Sequence, residues 1–236
     1  MCDRPGRVTL CGNLTRWKAP MPHPTIALTL AAGLLLAAGT WAAEATPAAA
    51  GEPAAATAPY NVIGREDAPV SIIEFSDLQC AYCARYALET FPLLQEHYIA
   101  TGKVRYAAAD LPLPMHQHAV AAAVAARCAG EQGAFWRYRA ALFAAQAALG
   151  AATFDEIAAD QGLDVGKLAA CRKDDRHVRG VRTDQRLAAE HGIEQTPSFV
   201  IGRMVDGEFR AEVLPGAMPY EVFAARIEAL LTEAAR

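Results

Sequence analysis

The sequence predicts an α/β fold: a small sheet with helices on its faces and an all-helical lobe inserted into it. Three observations carry that prediction. Apolar runs at residues 70–75 and 104–108 flank a helical pattern at 84–97, which is the spacing of a βαβ unit and requires the two strands to be parallel. Between His116 and His191 the strand signal nearly disappears and alanine-rich helical patterns take over. Strand patterns then return at 198–201 and 208–214, followed by an amphipathic helix. The sum is βαβ, a helical insertion, then ββα.

Taken in order, the first strand is the run Val70-Ser71-Ile72-Ile73-Glu74-Phe75. The helix after it contains Pro92, which lacks an N–H and is expected to kink it. Helical stretches follow at 116–129, 134–146, 153–161, 165–171 and 175–191. Thr153 with Glu156 fits a capping box, Asp164 is placed to cap the next helix, and Gly192 stands at a C′ position. Gly202 and Asp206-Gly207 are assigned to the turn between the last two strands, and Pro219 starts the final helix, 220–235.

The chain has 236 residues, 53% of them hydrophobic, enough for one domain with a sizeable core. Net charge is −4, and no basic block argues for nucleic acid as a partner. Residues 1–45 read as an export signal. Arg4, Arg7, Arg16 and Lys18 precede a thirteen-residue apolar stretch at 26–38, and Ala43-Glu44-Ala45 fits a cleavage site. A short membrane anchor, interrupted by Thr29, Gly33 and Thr40, is the alternative. Met21 is an alternative start that would leave the four basic residues out. Without residues 1–45 the chain carries 18 Lys and Arg against 24 Asp and Glu, a net −6. Residues 46–59 are Ala/Pro-rich and read as a tether, leaving 60–236 as the folded domain with its insertion at about 112–192. No internal repeat is present.

The chemistry centres on Cys80-Ala81-Tyr82-Cys83, at the strand-to-helix junction. Unpaired N–H groups and the positive end of the helix dipole stabilise a thiolate there. Cys80, expected to be exposed, is the candidate attacking thiol, and Cys83, one turn inside, the resolving thiol. Half a zinc site shares this spacing, but no second pair of this kind exists and no histidine lies within a few residues. Thr196-Pro197 directly precedes a strand, where proline can adopt a cis bond that exposes the Thr196 backbone to a substrate peptide; a trans proline at a strand start is the plainer alternative. Cys128 and Cys171 lie on two helices of the insertion and, in an oxidising compartment, are expected to pair. Cys2 and Cys11 fall in the leader. His116-Gln117-His118 chelates poorly, because i and i+2 point to different helix faces. Tyr82 is expected to be exposed beside Cys80, and Phe135 and Trp136 to be core of the lobe.

Three stretches together resemble the DsbA-like branch of the thioredoxin superfamily. They are Phe75-Ser76-Asp77-Leu78-Gln79-Cys80-Ala81-Tyr82-Cys83, Ala129-Gly130-Glu131-Gln132-Gly133-Ala134-Phe135-Trp136 and Gln195-Thr196-Pro197-Ser198-Phe199-Val200-Ile201-Gly202. The resemblance covers about residues 60–235 and implies a thioredoxin fold, a cis Pro197 and disulfide exchange on exported proteins. It also implies that Glu74 is a buried acid relaying a proton to or from Cys83; an edge-strand glutamate facing solvent is the other reading. Two positions depart from the family: Ala81 stands where proline is common, and Gln195 where glycine is.

The function expected is an exported thiol–disulfide oxidoreductase that forms disulfides in folding proteins of the periplasm or another extracytoplasmic compartment. It would be reoxidised by a membrane partner and need no cofactor or metal. The plain segment 46–59 cannot be a dimerisation domain, which favours a monomer. A reductase or isomerase of the same compartment, and a thiol-based Cu(I)-binding protein using Cys80 and Cys83, are the alternatives.

Overall fold

The structure, a computed structural model, describes residues 61–234 and the backbone of Val8–Thr9. The expected leader and tether otherwise lie outside the described residues. The strands are β1 (Val8–Thr9), β2 (Val62–Ile63), β3 (Val70–Ser76), β4 (Val104–Asp110), β5 (Ser198–Val205) and β6 (Glu208–Pro215), in the sheet order β1-β6-β5-β3-β4-β2. β3 and β4 pair in parallel, Val70 opposite Val104 through Ser76 opposite Asp110. β5 runs antiparallel to β3 on its other side and to β6 beyond. β3 is therefore the middle of the sheet, and the chain leaving its end emerges at the centre of one edge. β2, two residues long, had no readable pattern in the sequence.

The helix after β3 is a run over residues 81–99 in which α1 (Ala81–Arg85) and α2 (Phe91–Leu94) alternate with π turns at Tyr86–Thr90 and Gln95–Ile99. Pro92 offers no N–H to the turn before it, and the chain meets this with widened turns on either side of the proline. Helices α3 (Ala119–Gly130), α4 (Phe135–Ala144), α5 (Ala151–Asp160), α6 (Val165–Arg172) and α7 (Asp175–Glu190) fill the stretch between β4 and β5, and α8 (Tyr220–Ala234) closes the chain.

Period-two patterning explains the layers. Val70, Ile72, Tyr106, Phe199 and Ile201 face the first helix and α8, where Tyr86, Phe199 and Phe223 pack with ring centroids 4.5–5.4 Å apart. Phe75, Ala109 and Val200 face the other way, onto Ala188 and Ile193 at the end of α7. A third cluster fills the lobe with alanines of α3 and with Phe135, Tyr138, Leu142, Phe143 and Phe154, and it extends to Cys80 and Cys83. Trp136 bridges two of these clusters and stacks on Phe91 at 5.5 Å.

Local chemistry fixes some ends. Asp164 caps α6 by accepting from the Lys167 N–H, and Gly192 adopts φ +66° after α7. Thr153 is not a cap: α5 begins two residues earlier, at Ala151, and the Thr153 hydroxyl donates back to the Ala148 carbonyl. Gly202 is not in a turn either. It sits inside β5, between Ser71 and Ala211, where a Cβ would come within 2.2 Å of the Arg210 carbonyl oxygen. The hairpin turn is Asp206-Gly207 alone, with both φ positive, as a two-residue loop of that composition requires.

Candidate functional site

Cys80 follows the end of β3 and occupies the N-cap of α1, with an extended backbone and no side-chain cap of its own. Cys83 lies one turn on and is fully buried. Both are free thiols. Cys80 is not exposed as the sequence reading expected; it is 7% accessible, because the Thr196 loop lies across it and the Cys80 thiol donates to the Thr196 carbonyl at 3.5 Å. The Thr196–Pro197 peptide is cis, and Gly216 N–H donates to the Pro197 carbonyl at 2.8 Å. Tyr82, by contrast, is 61% exposed beside this pair, with the Arg85 guanidinium 5.2 Å from its ring centre.

The two sulfurs are electrostatically opposite. The hydrogen bond from Cys83, with further help from the Thr196 side chain and the backbone N–H groups of Cys83 and Tyr82, draws the Cys80 thiol down to about 5 against the opposing effect of burial. Burial pushes the Cys83 thiol far up, and the hydrogen bond to Cys80 and the Glu74 charge push it the same way. The Asp77 N–H, 3.5 Å from Cys83 Sγ, works in the other direction. One thiolate is thus poised at the helix terminus above one protonated thiol.

Glu74 is fully buried and does not face solvent. Its two oxygens are both taken: Tyr106 donates at 2.7 Å to one, and Arg139 of α4 at 2.7 Å to the other. Arg139 also donates to Ser76 at 2.7 Å, and Tyr86 and Tyr106 share a hydrogen bond of 2.9 Å. Burial drives both tyrosines well above their ordinary range. Burial also works against the Arg139 guanidinium, but the Glu74 carboxylate, Tyr106 and Asp110 together hold Arg139 raised.

Sequence reasoning missed the residues that hold the loop before Cys80. Asp77 accepts from the Gln79 N–H with one oxygen and from Leu113 N–H and His116 Nδ1 with the other, at 2.7–2.8 Å. Gln79 in turn accepts from the His118 N–H at 2.5 Å. The Gln146 amide reaches over from the lobe to the carbonyls of Leu78 and Cys80, at 2.9 and 3.0 Å. Asp77, two residues before the amide it binds, is an Asx turn that the sequence does signal; Arg139 and Gln146 lie far along the chain and give none.

Cys128 and Cys171 form a disulfide joining α3 to α6. Among the described residues one group of metal-ligating atoms lies within 4.8 Å of one another, Cys128, Cys171 and His177, and two of its three members are the halves of that disulfide. His116 and His118 do not converge: one bonds Asp77, the other Gln117. Phe135 is core of the lobe, while Trp136 is only partly buried.

The thioredoxin family model matches residues 57–216. The chain is 32% identical over 169 residues to the Na(+)/H(+) antiporter NhaA 3 of Salinispora tropica, covering 71% of this chain and 25% of that protein. It spans only about a quarter of the length of such curated relatives. It is 32% identical over 85 residues to a probable disulfide bond formation protein D of Bacillus anthracis, covering 36% of this chain and 39% of that one. Among solved structures, α-DsbA1 of Wolbachia pipientis superposes with a TM-score of 0.66 at 25% identity, over 74% of this chain and 92% of that one.

Proposed function

This chain belongs to the thioredoxin family and is DsbA-like within it; from that premise we propose that it is an exported thiol–disulfide oxidoreductase that donates the Cys80–Cys83 disulfide to folding proteins. The observation that carries the reading is the contrast between the two thiols, Cys80 drawn down to about 5 and Cys83 pushed up. A thiolate stabilised in the dithiol form favours reduced protein, and a pair whose reduced form is favoured is an oxidant.

The steps balance as follows. A substrate thiolate attacks Cys80 Sγ of the oxidised pair, the Cys80–Cys83 bond breaks, and Cys83 leaves and takes a proton. A second substrate thiolate attacks the substrate sulfur of the mixed disulfide and expels Cys80, whose low pKa makes it a good leaving group. Two substrate thiols are oxidised and the protein gains two electrons, which a membrane redox partner removes. The Thr196 carbonyl, beside Cys80, is placed to meet the N–H of an extended substrate, and exposed Tyr82 to contact its side chains. No described helix is long and apolar enough to cross a membrane. The export signal of residues 1–45, the tether 46–59 and action as a monomer on exported clients belong to the same proposal.

Equilibration of the pair with glutathione tests the direction. A potential near about −120 mV marks a disulfide donor, and one near about −270 mV marks a reductant and overturns the oxidase reading.

A further inference from the structure

We propose that Asp77 is a positioning residue for the resolving thiol: its buried carboxylate locks the peptide whose N–H points at Cys83 Sγ, so that this N–H meets the negative charge that forms there when the Cys80–Cys83 bond breaks. The inference rests on the disulfide-exchange reading above and gives a task in it to a residue that reading leaves unused.

β3 ends at Ser76, and the next N–H, that of Asp77, donates to Cys83 Sγ at 3.5 Å. A backbone N–H is only as well aimed as the peptide that carries it, and this peptide lies just past the strand. The Asp77 side chain supplies the hold. One oxygen accepts from the Gln79 N–H at 2.7 Å, and the other from the Leu113 N–H and His116 Nδ1 at 2.7 and 2.8 Å. The first bond shapes the turn into Cys80, whose own N–H donates to the Asp77 carbonyl at 3.0 Å. The other two reach 36 and 39 residues along the chain, to the segment that leaves β4. Gln79 tightens the same seam by accepting from the His118 N–H at 2.5 Å. The Asp77 side chain is 0% exposed. Burying a carboxyl group is costly, and here three donors offset the cost.

Disulfide exchange needs such a donor at one moment. A substrate thiolate attacks Cys80 Sγ of the oxidised pair, and a new sulfur–sulfur bond forms as the Cys80–Cys83 bond breaks. Cys83 departs with the electron pair and then takes a proton from solvent. Negative charge sits on Cys83 Sγ during that passage and is absent from both the disulfide and the thiol. An aimed N–H therefore stabilises the transition state more than either end. Loosening it slows the breaking and the closing of the bond by one factor and leaves their equilibrium unchanged. A carboxylate that acted by its charge would have the opposite sign. Its removal from beside a forming thiolate would speed both directions.

Dithiothreitol closes its own ring after its first attack, so its rate of reducing the oxidised protein reports the breaking of the Cys80–Cys83 bond. That rate, and the equilibrium constant with glutathione, are measured in the wild type, Asp77→Ala, Asp77→Asn and His116→Ala. Asp77→Ala is expected to be slower by about tenfold, the scale of one hydrogen bond to a charged group, at an unchanged equilibrium constant. Asp77→Asn keeps an oxygen for the Gln79 N–H, but its amide nitrogen accepts nothing from Leu113 or His116, so its rate falls between. His116→Ala removes one contact of the three and also falls between. A wild-type or faster rate in Asp77→Ala, or a slower one matched by an equal change in the equilibrium constant, overturns the proposal. Where Asp77→Ala does not fold, His116→Ala decides, since that side chain is 24% exposed and less costly to remove. An unaltered rate there overturns the proposal too. Hydrogen exchange of the Asp77 amide checks the contact itself: it should quicken in reduced Cys83→Ala, and equal protection with and without the sulfur overturns the proposal. A wild-type pair that dithiothreitol does not reduce refutes the exchange reading and this proposal with it, whereas wild-type kinetics in Asp77→Ala refute this proposal alone.

Discussion

The Cys80 thiol donates to the carbonyl oxygen of Thr196 at 3.5 Å, although 116 residues separate them. The contact joins the end of β3, the central strand, to the start of β5, its antiparallel neighbour. It places the candidate nucleophile against a backbone acceptor of the loop that leads into β5. It also accounts for the low exposure of Cys80, which a reading from helix-terminus chemistry alone does not supply.

Alkylation of Cys80 should titrate with a midpoint near 5, and Cys83→Ala should raise that midpoint, because the Cys83 hydrogen bond is the largest cause of the shift. The sign for stability follows. Cys80 is depressed in the folded dithiol protein from its ordinary 9.0, so its contribution is full above about pH 9 and is lost as pH falls toward 5. Cys83, held protonated, begins to oppose it only above pH 9. The thermal midpoint of the reduced protein relative to the oxidised one should therefore climb from pH 5 to 8. A difference that is flat across that range would remove the stabilised thiolate.

The Cys128–Cys171 disulfide closes a separation of 43 residues inside the lobe. Replacing both cysteines with alanine is expected to lower the unfolding free energy by about 3–4 kcal/mol, the scale set by a loop of that length. Urea unfolding of oxidised protein and variant measures the loss. Exchange kinetics per folded molecule should be preserved, since neither sulfur joins the Cys80 hydrogen-bond network.

Asp184 of α7 is pushed up to about 6, first by burial and then by the charge of Asp110, against the pull of Arg127. A carboxyl raised in the folded state favours folding while protonated. Its contribution is present below about pH 3.8 and is lost as pH rises through 6. Urea midpoints from pH 4 to 7 should show that decline in the wild type, and Asp184→Asn should flatten it. An unchanged slope in the variant would assign the decline elsewhere.

How much was legible in the sequence follows from which interactions are local. The parallel pair β3–β4, the helices of the lobe, the Asp164 cap and the Asp206-Gly207 turn rest on periodicity and short-range backbone chemistry. Cys80 and Cys83 stand out because two cysteines three residues apart suffice to define the motif. Arg139 and Gln146 could not be found that way. Each reads as one more polar residue on a predicted helix, and only the packing of the lobe against the sheet brings them to Glu74 and to the Leu78 and Cys80 carbonyls. Gly202 misled for a related reason: glycine near a turn signal looks like part of the turn, whereas here it permits close approach between two strands.

Gly202→Val makes that last distinction measurable. In a turn, the substitution would cost little unless φ were positive. In β5 the added Cβ meets backbone, 2.2 Å from the Arg210 oxygen and 2.6 Å from the Ala211 Cα, and backbone cannot swing aside as a long side chain can. The β5–β6 pair must separate locally, at a cost of about 2 kcal/mol or more. That strain arises six residues beyond Thr196, so molecules that still fold should keep the wild-type Cys80 titration. Urea unfolding gives the first quantity and alkylation kinetics the second. An undiminished stability would place Gly202 outside the ladder, and a shifted Cys80 midpoint would mean that the β5–β6 register governs the Thr196 loop as well.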